Sequence, residues 1–124
     1  MFDHVNFDVL DLAKSTDFYN KALATLGHSK VAEYKEYGVV GFGTKRPQFW
    51  IVKGEPHAQP AEIHVCFAAH SRKQVDNFYA AAIAAGGKDN GRPGIRKEYH
   101  SNYYGAFVLD PDGYNVEAVC HSPE

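Results

Sequence analysis

His4, Val5, Phe7, Phe18, Tyr19, Ala22, Ala24 and Gly27 recur as His64, Val65, Phe67, Phe78, Tyr79, Ala82, Ala84 and Gly87, each pair sixty residues apart with no gap between them. A repeat this regular means that one supersecondary unit is built twice. Two copies form a pseudo-two-fold pair, because a solenoid needs at least three. The 124 residues suit one compact domain and are too few for two ordinary ones. We therefore expect a single domain over 1–124, with repeat 1 at 1–55 and repeat 2 at 61–121. Lys53 to Pro60, with Gly54, Pro56 and Pro60, is the linker, and its shortness implies copies packed against each other.

Each copy opens on a strand pattern. Val5, Phe7 and Val9 alternate with His4, Asn6 and Asp8, and Ile63, Val65 and Phe67 alternate with His64 and Cys66. Helical stripes follow. Ser15, Phe18, Tyr19, Ala22, Leu23 and Leu26 share one helix face, as do Val75, Phe78, Tyr79, Ala82 and Ile83. Ser71 with Gln74 reads as a capping box, and Gly27 and Gly86-Gly87 read as helix stops. Three strands are predicted after the first helix: Ser29 to Glu36, Tyr37 to Phe42 and Gln48 to Val52. After the second, Lys88 to Arg96 carries two glycines, a proline and an asparagine and reads as a mobile loop before strands at Tyr104 to Leu109 and Tyr114 to Cys120.

Charge and hydropathy narrow the partners. Thirteen basic residues against fifteen acidic ones give a net charge of -2, which offers no footprint for nucleic acid or an anionic membrane. No apolar run approaches the ~18 residues of a bilayer span, and the first residues lack the pattern of a secretion signal. The expectation is a cytoplasmic protein with a small-molecule substrate. Cys66 and Cys120 form no CxxC pair and fall in apolar segments, so reduced, buried thiols are expected.

The strand alternation puts His4 and His64 on the face away from the helices, at equivalent positions in the two copies. In the last strand Glu117 shares its face with Asn115 and Val119, opposite Val116 and Ala118. Two imidazoles and one carboxylate from three strands are a facial ligand set for a divalent metal, with positions left open for water or substrate. A lone strand histidine is more often simply hydrogen-bonded. Repeat-equivalent placement of both is harder to explain by packing, because a symmetric core would repeat apolar residues.

These modules, the leading histidines, the Phe18-Tyr19 pair and the stretch Asp110-Pro111-Asp112-Gly113 followed by Glu117 resemble the vicinal-oxygen-chelate superfamily over essentially the whole chain. This is the family of glyoxalase I, fosfomycin-resistance transferases, bleomycin-resistance proteins and extradiol dioxygenases. The resemblance implies an α+β fold in which two paired βαβββ modules form a cup-shaped sheet with the helices outside, usually within a homodimer. It also implies metal ligands at His4, His64 and Glu117. The ligand set suits iron, manganese, zinc, nickel or cobalt. Glyoxalase I carries a carboxylate where Trp50 stands here, and the signature tyrosine of extradiol dioxygenases falls on Phe107. Aligning the final strands sets Val40 against Phe107 and Trp50 against Glu117.

The resemblance implies an enzyme whose metal is chelated by two neighbouring substrate oxygens, of lyase, isomerase, transferase or dioxygenase type. Glu117, His100 and Tyr103 are the candidate catalytic groups. Trp50, Asn6, Gln48, Tyr104 and Asn115 are candidate substrate contacts. Arg92, Arg96 and Lys97 form a basic stretch that reads as a solvated loop or a lure for an anionic substrate. The alternative is a non-catalytic dimeric protein that sequesters an aromatic compound in the cup, walled by Trp50 and tyrosines.

Overall fold

The computed structural model describes residues 1–124. Strand β1 (Val5–Val9) leads into helix α1 (Leu12–Ala24), then β2 (Ser29–Tyr34), β3 (Val39–Gly43) and β4 (Pro47–Lys53). The second copy repeats this order as β5 (His64–Ala68), α2 (Arg72–Ala84), β6 (Lys88–Ile95), β7 (Tyr104–Leu109) and β8 (Asn115–Cys120). Each βαβββ module makes one mixed four-stranded sheet, in the orders β1-β4-β3-β2 and β5-β8-β7-β6. In both, the first strand runs parallel to the last, and the other neighbours are antiparallel. The architecture is α+β, as expected.

The helices start and stop where their ends are chemically satisfied. Asp11 accepts the amide of Lys14 at the head of α1, and Ser71 accepts that of Gln74 at the head of α2. Gln74 reaches back to the amide of His70, so the capping box closes one residue further out than Ser71. Gly27 and Gly86 end the helices with φ of 86° and 101°, a region costly for any side chain. No helix is long and apolar enough to cross a membrane.

One apolar cluster runs through both modules, drawing on α1, α2 and the inner faces of both sheets. Phe18, Tyr19, Ala22 and Leu23 of α1 are fully buried, as are Val75, Phe78 and Ala82 of α2. Aromatic contacts stitch the halves together. Phe7 stacks on Tyr114 at 4.4 Å between ring centres, and Phe49 meets Phe67 edge-on at 5.3 Å.

The turn Asp110–Tyr114 completes the union. Its Asp110 carboxylate accepts the amides of Asp112 and Tyr114 at 2.9 Å each, and accepts the hydroxyl of Tyr19 from the other module. Asp112 accepts the amide of Leu10, and the Tyr114 hydroxyl donates to the carbonyl of Asp8. The Phe18-Tyr19 and DPDG signatures thus lie on one inter-module latch. Burial pushes the Asp110 carboxyl up to about 6, while its hydrogen-bond donors pull the other way.

Three expectations need correction. Lys88 to Ile95 is a strand and not a mobile loop: it pairs with β7 as the edge of its sheet, with register shifts around Gly91. Edge strands tolerate Gly and Pro, which hid the pattern. Val40 is not the counterpart of Phe107, because Trp50 pairs with Gly41 while Glu117 pairs with Phe107; Gly41 holds that place, and the β7–β8 turn is one residue longer. Finally, Cys66 is open to solvent although Cys120 is buried, because β5 is an edge strand whose outer face the chain leaves uncovered.

Candidate functional site

The face of the second sheet turned away from α2 carries the polar cluster. Register places Glu117 between Cys66 of β5 and Phe107 of β7, so all three share that face. Glu117 is 1% exposed, which makes it one of three buried polar residues in the chain. A carboxylate so enclosed needs partners for both oxygens. Its Oε1 lies 2.9 Å from His64 Nε2, and its Oε2 accepts the hydroxyl of Tyr103. Room for this arrangement comes from Gly105, where an added Cβ would sit 3.0 Å from Glu117 Oε2 and 3.1 Å from the Tyr103 ring.

His64 is held from both ends. Its Nδ1 lies 3.2 Å from the Asn115 carbonyl oxygen and its Nε2 faces Glu117, while its ring stacks on Phe107 at 5.9 Å. Both ring nitrogens therefore confront acceptors. In the tautomer with the proton on Nδ1, Nε2 turns its lone pair towards the carboxylate, and that is the tautomer a cation between the two would select. A backbone carbonyl on one nitrogen of a metal-binding histidine is the usual way of fixing the other as ligand.

Burial raises the Tyr103 hydroxyl above its usual range, and its bond to Glu117 raises it further, so it stays protonated and donating. Although Cys66 as a residue is open to solvent, the partial desolvation of its sulfur on the Glu117 side pushes the thiol up, and the charge of Glu117 adds to this. It rests against the carboxylate as a neutral thiol.

His4 lies apart from this cluster. It is exposed just ahead of β1, and its Nδ1 is 2.7 Å from Asp3, which also pairs with Arg46 at 3.2 Å. Both histidines line a cavity of about 570 Å3 between the modules, with Phe2, Gln48, Phe49 and Phe67 among its walls. Within one chain, no three His, Cys, Asp or Glu side chains gather closely enough to hold a metal ion. The chain thus brings together His64 and Glu117 of the expected trio, and not His4.

The other candidates divide between the two sheets. Trp50 is half-buried on the first sheet, stacked on Tyr34 at 6.2 Å with 19° between the planes. Asn6 lines a separate open pocket with Glu55 and His57. Asn115 contributes its carbonyl to His64, while its side chain accepts from Asn90. Tyr104 turns to the helix side: its hydroxyl donates to Asp76 at 2.7 Å, and Arg72 lies over its ring. That bond pushes its hydroxyl up to about 12. His100 does not reach Glu117; it bonds His121 at 2.6 Å and meets the Tyr103 ring edge-on at 5.5 Å. In the sequence Arg96 stands out only as part of a basic stretch with Arg92 and Lys97, and His121 does not stand out. His121 follows the last strand and belongs to no periodic pattern.

Two βαβββ modules fused through one core, with a histidine–carboxylate pair on an open sheet face, define a paired-module α+β protein. The sequence profile of the Glyoxalase/Bleomycin resistance protein/Dioxygenase superfamily matches residues 1–118, and the chain belongs to that superfamily. It is similar to a glyoxalase/bleomycin resistance protein from Albidiferax ferrireducens T118, with 35% identity over 96% of this chain and 98% of that one and a TM-score of 0.84. It shares its fold with the fosfomycin resistance protein FosX from Mesorhizobium loti, with 17% identity over 99% of this chain and 93% of that one and a TM-score of 0.73. The fold also matches a FosX variant from Listeria monocytogenes complexed with Mn(II) and 1S,2S-dihydroxypropylphosphonic acid, with 17% identity over 100% of this chain and 92% of that one and a TM-score of 0.74. No curated protein matches the chain.

Proposed function

We propose that this chain is a divalent-metal-dependent enzyme of the superfamily, acting on a small substrate that offers two neighbouring oxygens to the metal. The observation that carries this reading is the His64–Glu117 pair, with Nε2 and Oε1 2.9 Å apart and the far side of the imidazole fixed by a carbonyl. A FosX variant of the same fold is complexed with Mn(II), which supports this reading.

His64 and Glu117 would hold the ion, with His4 supplied by a second copy of the chain in a homodimer. Asp3 orients His4 through Nδ1 and leaves Nε2 free, the same preparation that the Asn115 carbonyl gives His64. When bound, the metal supplies Lewis-acid stabilisation to an oxygen that gains charge during reaction. Tyr103 holds a proton at Oη against Glu117 Oε2, which fixes the carboxylate and leaves the hydroxyl as the nearest proton donor. Phe107 and Cys66 flank Glu117 on the two neighbouring strands.

Trp50 and Tyr34 form a flat aromatic shelf on the other sheet, facing a substrate ring from the opposite side of the dimeric site. That shelf is also what favours the second reading, a metal-free protein that sequesters an aromatic compound. Metal analysis of protein purified without chelator and equilibrated with Mn(II) separates the two. Bound metal in the wild type and its loss in His64→Ala support the enzyme, whereas equal content in both defeats it.

A further inference from the structure

Strand β6 does not run evenly along its neighbour. Its register to β7 shifts twice, between Asp89 and Gly91 and between Gly91 and Gly94, and the side chain of Arg96 fills the irregularity. The guanidinium donates from Nη1 to the Gly94 carbonyl at 2.9 Å and from Nη2 to the Arg92 carbonyl at 2.7 Å. It lies over the Phe107 ring with Cζ 5.4 Å from the ring centre. Side chains are missing where they would crowd it. A Cβ on Gly91 would come within 3.2 Å of Nη2 and 2.9 Å of the Phe107 ring, and one on Gly94 within 3.2 Å of Nη1.

The same Phe107 ring stacks on His64 and pairs across the sheet with Glu117. Arg96 is thus fixed on the face that carries the polar cluster, one aromatic ring from the histidine. No carboxylate lies within salt-bridge distance of it, unlike Lys21, Lys30 and Arg46, which all have partners. Two carbonyls engage two of its five N–H groups and lock its plane, which leaves the others for a ligand. A fixed, unpaired guanidinium is suited to a carboxylate or other oxyanion, through paired hydrogen bonds at little entropic cost.

We infer that Arg96 is an anion-binding residue of this face, and that the compound taken by the site carries an oxyanion group beside the oxygens that face His64 and Glu117. The anionic end stands on the Arg96 geometry; only the chelating end rests on the metal reading above. Arg92 and Lys97, the exposed neighbours in sequence, are not part of it.

The test uses the full chain freed of metal by chelation and titrated with benzoate, phenylphosphonate and benzyl alcohol, read by calorimetry or NMR shifts. Benzoate or phenylphosphonate is expected to bind the wild type about tenfold or more tighter than benzyl alcohol, by the strength of charge-assisted hydrogen bonds. The winner of the two identifies a planar or a tetrahedral oxyanion. Arg96→Gln abolishes the preference while keeping benzyl alcohol binding, which shows that the face is intact, and Arg96→Lys keeps part of it. Benzyl alcohol binding the wild type as tightly as the anions, or Arg96→Gln retaining the preference, overturns the inference. A final arm adds Mn(II) and compares 3,4-dihydroxybenzoate with benzoate. An intact anion preference without any gain for the dihydroxy compound supports the role of Arg96 and counts against the metal reading alone.

Discussion

The two modules are built on one pattern and finished differently. His4 stands just ahead of β1 and His64 opens β5, at equivalent positions of the repeat, and the register that sets Asn6 beside Trp50 sets Cys66 beside Glu117, so Trp50 and Glu117 are counterparts. The first module puts an indole there and spreads it over Gly41, whose missing Cβ would stand 3.0 Å from the ring. The second puts a carboxylate there and encloses it with His64 and Tyr103. Tyr19 and Tyr79 are counterparts too, yet only Tyr19 is fully buried and bonded across the module boundary. The fold is conserved between the halves because both helices need the same apolar face. The outer faces carry no such demand and have diverged into an aromatic shelf and a polar pocket.

That division of labour can be tested at each matched position. Glu117→Ala should have the largest effect, lowering Mn(II) affinity at least a hundredfold by removing a ligand and the partner of His64, while Trp50→Ala leaves metal binding within a few-fold; calorimetric titration decides. Next is the latch. The folded chain keeps a proton on Asp110 to about pH 6, whereas the unfolded chain releases it near the ordinary value of 3.8. Stability therefore falls as pH rises through that window, by on the order of 2–3 kcal/mol, and Asp110→Asn removes this slope in urea titrations at pH 4 and 6.5. Tyr19→Phe leaves the Asp110 carboxylate without its hydroxyl donor and should cost about 1–3 kcal/mol, against less than about 0.5 kcal/mol for Tyr79→Phe, measured by thermal melts. The smallest change is Tyr104→Phe, about 0.5–1 kcal/mol of stability with Mn(II) affinity unaltered, since its hydroxyl serves Asp76 on the helix side.

Much of this was legible in the residues. The sixty-residue offset and the period-2 and period-3.6 patterns gave the modules, and strand parity put His64 and Glu117 on one face. Parity could not give depth: Glu117 lies almost wholly enclosed because Gly105 leaves room for its carboxylate against Tyr103 and His64, which depends on tertiary packing. Strand β6 was hidden because an edge strand wrapped around an arginine has no alternation to read. The direction of Tyr103 and Tyr104 was equally hidden, since a turn precedes them, and adjacent residues on a strand point opposite ways. The role of Asp110 had a signal in the Asp-x-Asp-Gly spacing, where the first carboxylate can accept the amides of its own turn. The distance between His4 and Glu117 depends on how modules meet, and no local pattern encodes it.

The central claim is that His64 and Glu117 of one copy and His4 of another form one site. Co-refolding the His4→Ala and His64→Ala variants in equal amounts and measuring bound Mn(II) tests it most directly. Neither variant alone should bind, but random pairing makes half the dimers mixed, each with one intact site, so about a quarter of the wild-type metal should return. No recovery in mixtures shown by sedimentation to contain dimers, or full binding by His4→Ala alone, would contradict the shared site.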